Sequence, residues 1–479
     1  MVSAFSSLHT EVRHRETASS PPAGQGRRVL VITYNWPPDT SIGGVRPVKL
    51  VAQLKAQGWE PIILTVNDRY YERLDAKLAD STAGPIVIRT RCLPNLPRLY
   101  IAMKSFLAKL FVRSTEPSPA QGEARVKMQD VTGPRRGREL RRLLLSIMYT
   151  PDEHIGWLPF GLLQALKAVR TYHVTCMIST GPPFTAHIVA LLTRVLSRVA
   201  WIADFRDPWA LSETRPPEYT SEVSNWMNKR IERAVVHRAD CVVCVTPFMT
   251  QWYRAHYPEL PSGHWETITN GFSAGEFEAV AGVPLSAKFR ISYLGNIQYG
   301  RTPELVFQAV RELCQEGLMK REDVEIRLVG KCHEVRGRPM TELIATYMLS
   351  DIVTVVRAVP RHEALKEMRQ AHVLLLLATN QKLQIPGKAY EYIGAGRRIL
   401  AVTEKESATG IVVRQVGGAV VDPDDLREMK QVLTEWYGDS QRANIKAVER
   451  ESRPAGANQF EWNDLGRQYA DLLASVCRQ

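Results

Sequence analysis

Residues 28–66 read RVLVITYNWPPDTSIGGVRPVKLVAQLKAQGWEPIILTV. Arg28 to Tyr34 is a continuous apolar run of strand length. The loop NWPPDTSIGG follows, then a helical pattern from Val45 closed by Gly58, then a second apolar strand, PIILTV. A fully apolar strand, a loop, an amphipathic helix and another apolar strand are the opening of a doubly wound parallel sheet, buried on both faces. Folds of this class bind ligands beyond the carboxyl ends of their strands, where this loop lies. Gly43 and Gly44 let a ligand come close to the backbone at the helix start, or serve only a tight turn. The loop does not match GxGxxG, so a dinucleotide fingerprint is absent.

The same alternation continues along the chain. Strand patterns at Val174–Ser179, Trp201–Phe205 and Cys241–Thr246 are separated by STGPPFTAHIVALLTRVL and by a helix around Asn225–His237. The strand ending at Phe205 runs straight into Arg206, Asp207, Pro208 and Trp209, and a charged pair directly after an apolar strand points to a cleft. His187 reads as a core or supporting residue of its helix. The segment ETITNGF closes the first half with a turn at Asn270 and Gly271, and residues 273–288 read as a linker. A second βαβαβ series follows: Arg290–Leu294, a loop with Gly295 and Arg301, a helix from Pro303, the strand VEIRLVG with its Gly330 loop, and TVVRAVPRHEALKEMRQAHVLLLLAT.

A chain of 479 residues exceeds what one core organises, so two domains are expected. The assignment is a disordered tail over 1–26, a Rossmann-like domain over 27–274, a second over 289–455, and a helical C-terminal segment over 456–479. The fold class is α/β, two doubly wound Rossmann-like domains facing across a cleft. The net charge of +12 favours an anionic partner. Seven cysteines are scattered, and Cys241 and Cys244 read as core residues of a strand. The N-terminus lacks the apolar run of a secretory signal and no stretch is long and apolar enough to span a bilayer, which implies a cytoplasmic protein.

An insert at about 97–149 departs from the pattern. Ile101 to Arg113 groups Met103, Phe106, Leu107, Leu110 and Phe111 on one side. Leu140, Leu143, Leu144, Ile147 and Met148 repeat at helical spacing beside Arg135, Arg136, Arg138, Arg141 and Arg142. Two basic amphipathic helices are expected, and they suit the anionic headgroups of a membrane surface. The alternative is that both pack on the domain with solvated charges.

The stretch PGKAYEYIGAGRRIL, 386–400, places a cation, a carboxylate and a glycine turn together. Ala389, Tyr390, Tyr392 and Ile393 have helical spacing, Gly394 and Gly396 end the helix, and a buried strand begins at Ile399. Lys388 and Glu391 stand one turn apart. The helix N-terminus with Lys388 attracts phosphate, and Glu391 can accept hydrogen bonds from a ribose diol. The plainer reading is a surface ion pair on an ordinary helix.

Together YNWPPDTSIGGVRP, STGPPFTAH, ADFRDPW, NGF, YLGNIQYGR and GKAYEYIGAGRRIL resemble the retaining glycosyltransferases of family 4, which have the GT-B fold. The resemblance implies that the C-terminal domain binds a nucleotide-diphospho-sugar donor as co-substrate and that the N-terminal domain presents a saccharide or lipid-linked acceptor. It implies no tightly bound cofactor or metal. Glu391 matches the carboxylate that holds the donor ribose, Arg301 matches a basic residue meeting the diphosphate, and Lys388 assists it. Gly43 and Gly44 match a glycine loop approaching the donor phosphates, with Gly295 and Gly330 lining the donor from the other domain. Arg46, Arg206 and Asp207 stand on the acceptor side, and Asp207, Arg301 and Lys388 are the catalytic candidates.

Three positions depart from the family pattern. Leu383 occupies the place of a second glutamate, Asn296 that of a basic residue, and Arg206 that of a histidine. A catalytically silent GT-B scaffold and a nucleotide-sugar epimerase therefore stand as alternatives. A nucleic-acid binder lacks the aromatic platforms and motifs it needs. The basic amphipathic insert, not the resemblance, points to surface polysaccharide or glycolipid assembly, peripheral at the inner membrane face.

Overall fold

The computed structural model describes residues 27–75, 78, 84–94, 135–210, 219–297, 301–442 and 456–478. The tail over 1–26, the helix expected at 101–113 and the rest of the insert before 135 lie outside the described residues.

The N-terminal sheet has seven parallel strands: β1 Arg27–Ile32, β2 Trp59–Val66, β3 Ile86–Thr90, β4 Cys176–Gly181, β5 Ala200–Phe205, β6 Cys241–Cys244 and β7 Trp265–Thr267. Their order is β3-β2-β1-β4-β5-β6-β7, and the connecting helices include Val45–Ala56, Thr185–Ser197, Glu222–Arg238 and Pro247–His256. The second sheet comprises β8 Phe289–Leu294, β9 Val324–Val329, β12 Val353–Val356, β13 Val373–Leu377, β14 Arg398–Val402 and β15 Ala419–Val421, with a small hairpin of β10 Glu334–Val335 and β11 Arg338–Pro339 beside it. Its order is β12-β9-β8-β13-β14-β15. Both sheets are parallel, with helical crossovers, so two doubly wound domains are present as expected. In each, the strand order reverses beside the first strand, and a crevice opens at that switch point.

Three features differ from the sequence reading. The expected linker is docked: the helix Ala274–Glu278 sends Phe277 into the C-terminal core, and Phe272 and Val280 join it. Apolar side chains in a connecting segment gain more by burial than by exposure. The last helix, Trp462–Val476, returns to the N-terminal domain and packs Leu465, Tyr469 and Leu473 against Leu50, Leu54 and Trp59. Phe272 and the chain before that helix are joined by two backbone bonds, Phe272 N–H to Phe460 O at 3.0 Å and Trp462 N–H to Phe272 O at 3.0 Å. The helix Arg135–Met148 forms as expected, but the domain covers its apolar side only in part. Leu145 and Ser146 face inward, whereas Leu140 and Leu144 are 58% and 53% exposed. Ser146 Oγ meets Ser221 Oγ at 2.6 Å, at the start of Glu222–Arg238, on the helix's inward side.

A buried ion pair locks the N-terminal domain. The Arg46 guanidinium, 3% exposed, meets Asp204 through Nε and Nη2, with the Nη2 contact at 2.8 Å. Its remaining hydrogens go to the carbonyls of Ile268 and Thr269, to Asn270 Oδ1 and to Tyr469 Oη. Burial opposes the Asp204 charge, and Arg46 more than compensates, holding that carboxyl below its usual range. Thr180 Oγ1 and Tyr469 Oη donate the further hydrogen bonds that Asp204 accepts.

His187 lies wholly inside the same domain, its Nδ1 2.7 Å from Ser179 Oγ and its ring near Phe205 and Trp209. Burial lowers its pKa to about 3.

Two outcomes follow from this core. Asp204→Ala leaves Arg46 charged and unpaired, so chemical denaturation should show a loss of about 3 to 5 kcal/mol; a loss under about 1 kcal/mol would show that the pair does not hold the domain. For His187, the unfolded ring takes up a proton near pH 6.5 and the folded ring only near pH 3. Its contribution is complete above 6.5 and is lost as pH falls toward 3, by about 1.4 kcal/mol per pH unit. His187→Gln should make acid destabilisation shallower by that slope between those limits. An unchanged slope means the folded ring is protonated.

Candidate functional site

The segment from Gln381 to Glu391 crosses the mouth of the C-terminal sheet after β13, and contacts from both domains meet on it. The helix Gly387–Ala395 starts after Pro386 and stops at Gly396, whose left-handed backbone, φ 62°, a glycine adopts without strain. This is the helix expected from its spacing. Lys388 Nζ lies 2.6 Å from Glu391 Oε2, and Arg361, on the helix Arg361–Gln370, bonds the other carboxylate oxygen. Burial works against the Glu391 charge, but Lys388 and Arg361 outweigh it and hold the carboxyl below the usual glutamate range. Glu391 is therefore an ionised acceptor, with its side chain 16% exposed.

Two loops close on this segment from the first strands of the C-terminal sheet. Gly330, φ 131°, abuts the Gly295 carbonyl so tightly that a Cβ there would run into it. Gly295 N–H reaches back to Val329 O at 2.9 Å. Arg301 Nη2 donates to Gln381 Oε1 at 3.1 Å, and its Nε is buried with no hydrogen-bond partner among the described residues. Asn296 lies between the loops: its Oδ1 accepts from Lys331 N–H and its carbonyl from Tyr293 Oη. It ties the turn rather than offering a cation.

The N-terminal domain faces this segment with the ends of β5 and β6. Arg206 bonds the Gly43 carbonyl, so the glycine loop and the residue after β5 are in direct contact. Arg206 Nε also has no partner among the described residues. Asp207 Oδ1 accepts from Gln384 Nε2 of the other domain at 2.6 Å. Burial pushes the Asp207 carboxyl up, against the pull of Arg206. Thr246 caps the helix Pro247–His256 by accepting from Met249 N–H, and its hydroxyl donates to Leu383 O at 2.7 Å. At position 383 it is therefore a backbone carbonyl, not a side chain, that contacts the opposite domain.

The structure thus gathers Gly43, Arg206, Asp207, Arg301, Lys388 and Glu391 around one segment and one cleft, with Gly295 and Gly330 packed together at its C-terminal side. Arg46 is the correction. It was expected on the acceptor side, but every hydrogen-bond donor it has is taken inside the protein, where it joins β5, the 268–270 segment and the last helix. Sequence reasoning missed Arg361, Gln381 and Gln384. Gln381 and Gln384 stand in the stretch between an apolar strand and the Lys388 helix, the switch-point position, and that place was their signal. Arg361 carried none, since a helix opening after Pro360 with an arginine is common. Among the described residues no cluster of His, Cys, Asp and Glu could hold a metal ion, and no helix is long and apolar enough to cross a membrane.

Comparisons with known proteins agree with this architecture. Residues 43–271 match the glycosyl transferase 4-like domain family. A curated relative, D-inositol 3-phosphate glycosyltransferase of Streptosporangium roseum, is 24% identical over 277 residues, which cover 56% of this chain and 60% of that protein. The match thus spans about three-fifths of that relative's length. Among solved structures, sucrose-phosphate synthase from Thermosynechococcus elongatus superposes with a TM-score of 0.59 at 14% identity, over 94% of this chain and 99% of that one. Anabaena HepE in complex with UDP gives 0.57 at 14%, over 94% and 100%. At such identity the structural likeness speaks for the fold, and the sequence match speaks for the first half. The sequence match thus covers residues 43–271, where the chain is similar to the glycosyl transferase 4-like domain, and the fold of the whole chain is the GT-B fold.

Proposed function

We propose that this chain is a retaining glycosyltransferase that moves a sugar from a nucleotide-diphospho-sugar to a saccharide or lipid-linked acceptor. The observation that carries the reading is the Gln381–Glu391 segment, on which an ionised carboxylate, two cations and residues of both domains converge. Glu391 accepts hydrogen bonds from the donor ribose. Arg301 and Lys388, with the close backbone at Gly295 and Gly330, receive the diphosphate, and the Gly43–Gly44 loop approaches from the other side. The bond from the anomeric carbon to the diphosphate oxygen breaks while a bond to the acceptor oxygen forms on the same face. The acceptor proton passes to a donor phosphate oxygen. Fixed cations stabilise the charge that develops on the leaving diphosphate, the kind of preorganised electrostatics that supplies much of enzymatic rate enhancement. Asp207 and Arg206 orient the transferred sugar or the acceptor. The HepE complex with UDP and the curated relative's transferase name support this class of donor and reaction.

The reading extends to place. Leu140 and Leu144 are exposed on the helix Arg135–Met148 in a strongly basic sequence. Apolar side chains among cations suit an anionic bilayer surface. We place the protein at the cytoplasmic membrane face, in assembly of a surface polysaccharide or glycolipid.

Thermal stabilisation by a panel of nucleotide-sugars and free nucleotides tests the donor site, because a ligand of the native state raises apparent stability. A selective shift is expected, and Glu391→Ala should weaken nucleotide binding about tenfold to a hundredfold, the worth of a charge-assisted hydrogen bond. An unchanged dissociation constant would remove Glu391 from the donor site. Release of a free altered sugar without an acceptor would favour an epimerase instead. In flotation with anionic liposomes the protein should rise at low salt and dissociate at high salt, with Leu140→Ser and Leu144→Ser together reducing the floated fraction. A protein that stays in the aqueous layer at low salt is not held at a membrane by this helix.

A further inference from the structure

We propose that Lys49, Glu276 and Arg361 form a chain of charges that couples the grip of Glu391 on a nucleotide to the placement of the N-terminal glycine loop. This rests on the reading of Glu391 as the ribose-binding carboxylate.

Arg361 bridges two carboxylates. One arm bonds Glu391 Oε1, and the other lies 2.7 Å from Glu276 Oε2. Glu276 Oε1 in turn lies 2.5 Å from Lys49 Nζ. The signs alternate along the whole path: Lys49, Glu276, Arg361, Glu391, Lys388. Each link comes from a different element. Glu391 and Lys388 belong to Gly387–Ala395, Arg361 to Arg361–Gln370, Glu276 to the docked connecting helix, and Lys49 to Val45–Ala56 of the N-terminal domain. That last helix begins directly after Gly43 and Gly44. The Lys49–Glu276 pair is therefore a contact between the N-terminal domain and a segment built into the C-terminal core.

The consequence is electrostatic. Glu391 is buried among two cations, and its oxygens are shared between them and any diol that binds. A guanidinium has a rigid planar fork, so its hold on Glu391 depends on where its other arm is held. With Lys49 in place, Glu276 is partly neutralised and Arg361 stays committed to Glu391. If the N-terminal helix moves away, Glu276 loses its lysine and pulls harder on Arg361, which changes the charge and orientation of Glu391. Movement of the glycine loop and affinity at the ribose site then become one equilibrium, because coupling between two sites is reciprocal. Neither Lys49 nor Glu276 needs to touch the nucleotide. They act as positioning residues through Arg361. The partial exposure of Lys49, Glu276 and Arg361, 27%, 30% and 43%, limits the size of the effect.

The test is a double-variant cycle on the full chain, reading the dissociation constant of UDP by calorimetry together with the melting temperature. Lys49→Gln and Arg361→Gln should each weaken UDP binding by about twofold to fivefold. The double variant should be no weaker than the worse single one, since both break the same chain. Arg361→Lys keeps the charge but lacks the planar fork whose two arms hold the two carboxylates apart, and it should recover less than half of the loss. Three results overturn the proposal: single variants that lower the melting temperature while leaving UDP binding intact, losses that multiply in the double variant, or full recovery with lysine. Glu391→Ala serves as the separating control. If the wild type does not bind UDP, or Glu391→Ala binds it unchanged, the donor reading itself fails and the coupling falls with it. If Glu391→Ala is weakened but neither Lys49→Gln nor Arg361→Gln is, the coupling alone is wrong.

Discussion

The buried pair of Arg46 and Asp204 is the contact on which the rest of the architecture depends. An unpaired charge in an interior is costly, so three pieces of chain are drawn to one guanidinium. They are the end of β5 through Asp204, the carbonyls of 268 and 269 with Asn270 where the chain leaves the domain, and Tyr469 of the returning helix. Arg46 itself sits in the first turn of the helix after the glycine loop. Two and three residues beyond Asp204 the chain reaches Arg206 and Asp207, so the pair that closes the core lies directly beneath the cleft residues in the chain. The aromatic rings of Trp462 and Tyr469 lie 6.0 and 5.6 Å from the guanidinium and shield it from water.

Above that pair the cleft is lined by charged side chains from both halves and by the backbone of the glycine loop. The C-terminal half supplies Arg301, Lys388 and Arg361, balanced by Glu391 and Glu276. The N-terminal half supplies the Gly43 carbonyl, already bonded by Arg206, and the Asp207 carboxyl, bonded by Gln384. Carboxylates in the two halves experience opposite environments. Glu391 is held ionised by its cations, whereas burial raises the pKa of Asp207. One fold thus carries an acceptor of hydrogen bonds on one face of the cleft and a carboxyl that takes a proton more readily on the other. The departures from the family pattern find local explanations in the same frame. Leu383 presents its carbonyl to Thr246, and Asn296 binds the two glycine loops to each other.

Much of this was legible in residue patterns. Apolar strands alternating with amphipathic helices are a local signal, since a strand covered on both faces must be apolar along its length. The helix Gly387–Ala395 was readable for a similar reason: Lys388 and Glu391 are neighbours through helical geometry alone. Arg46 misled because its type and its place beside Gly43 and Gly44 suit a ligand contact equally well. What excluded it was Asp204, 158 residues away. Arg361 and Gln384 were missed on the same ground, because their partners are 30 and 177 residues distant and no spacing rule reaches that far.

By itself, then, the sequence determined the two doubly wound halves, the order of their elements, the glycine loops and the Lys388–Glu391 pair, all consequences of periodicity and of contacts within a few residues. Only the tertiary structure decided which charges are spent inside the protein and which face the cleft. It docked the connecting segment on the C-terminal core, returned the last helix to the first domain, turned Leu140 and Leu144 outward, and joined Lys49 to Glu391 through two intervening side chains. The physical reason is that desolvation and ion pairing depend on what surrounds a group in space, and along the chain those surroundings are scattered over hundreds of residues.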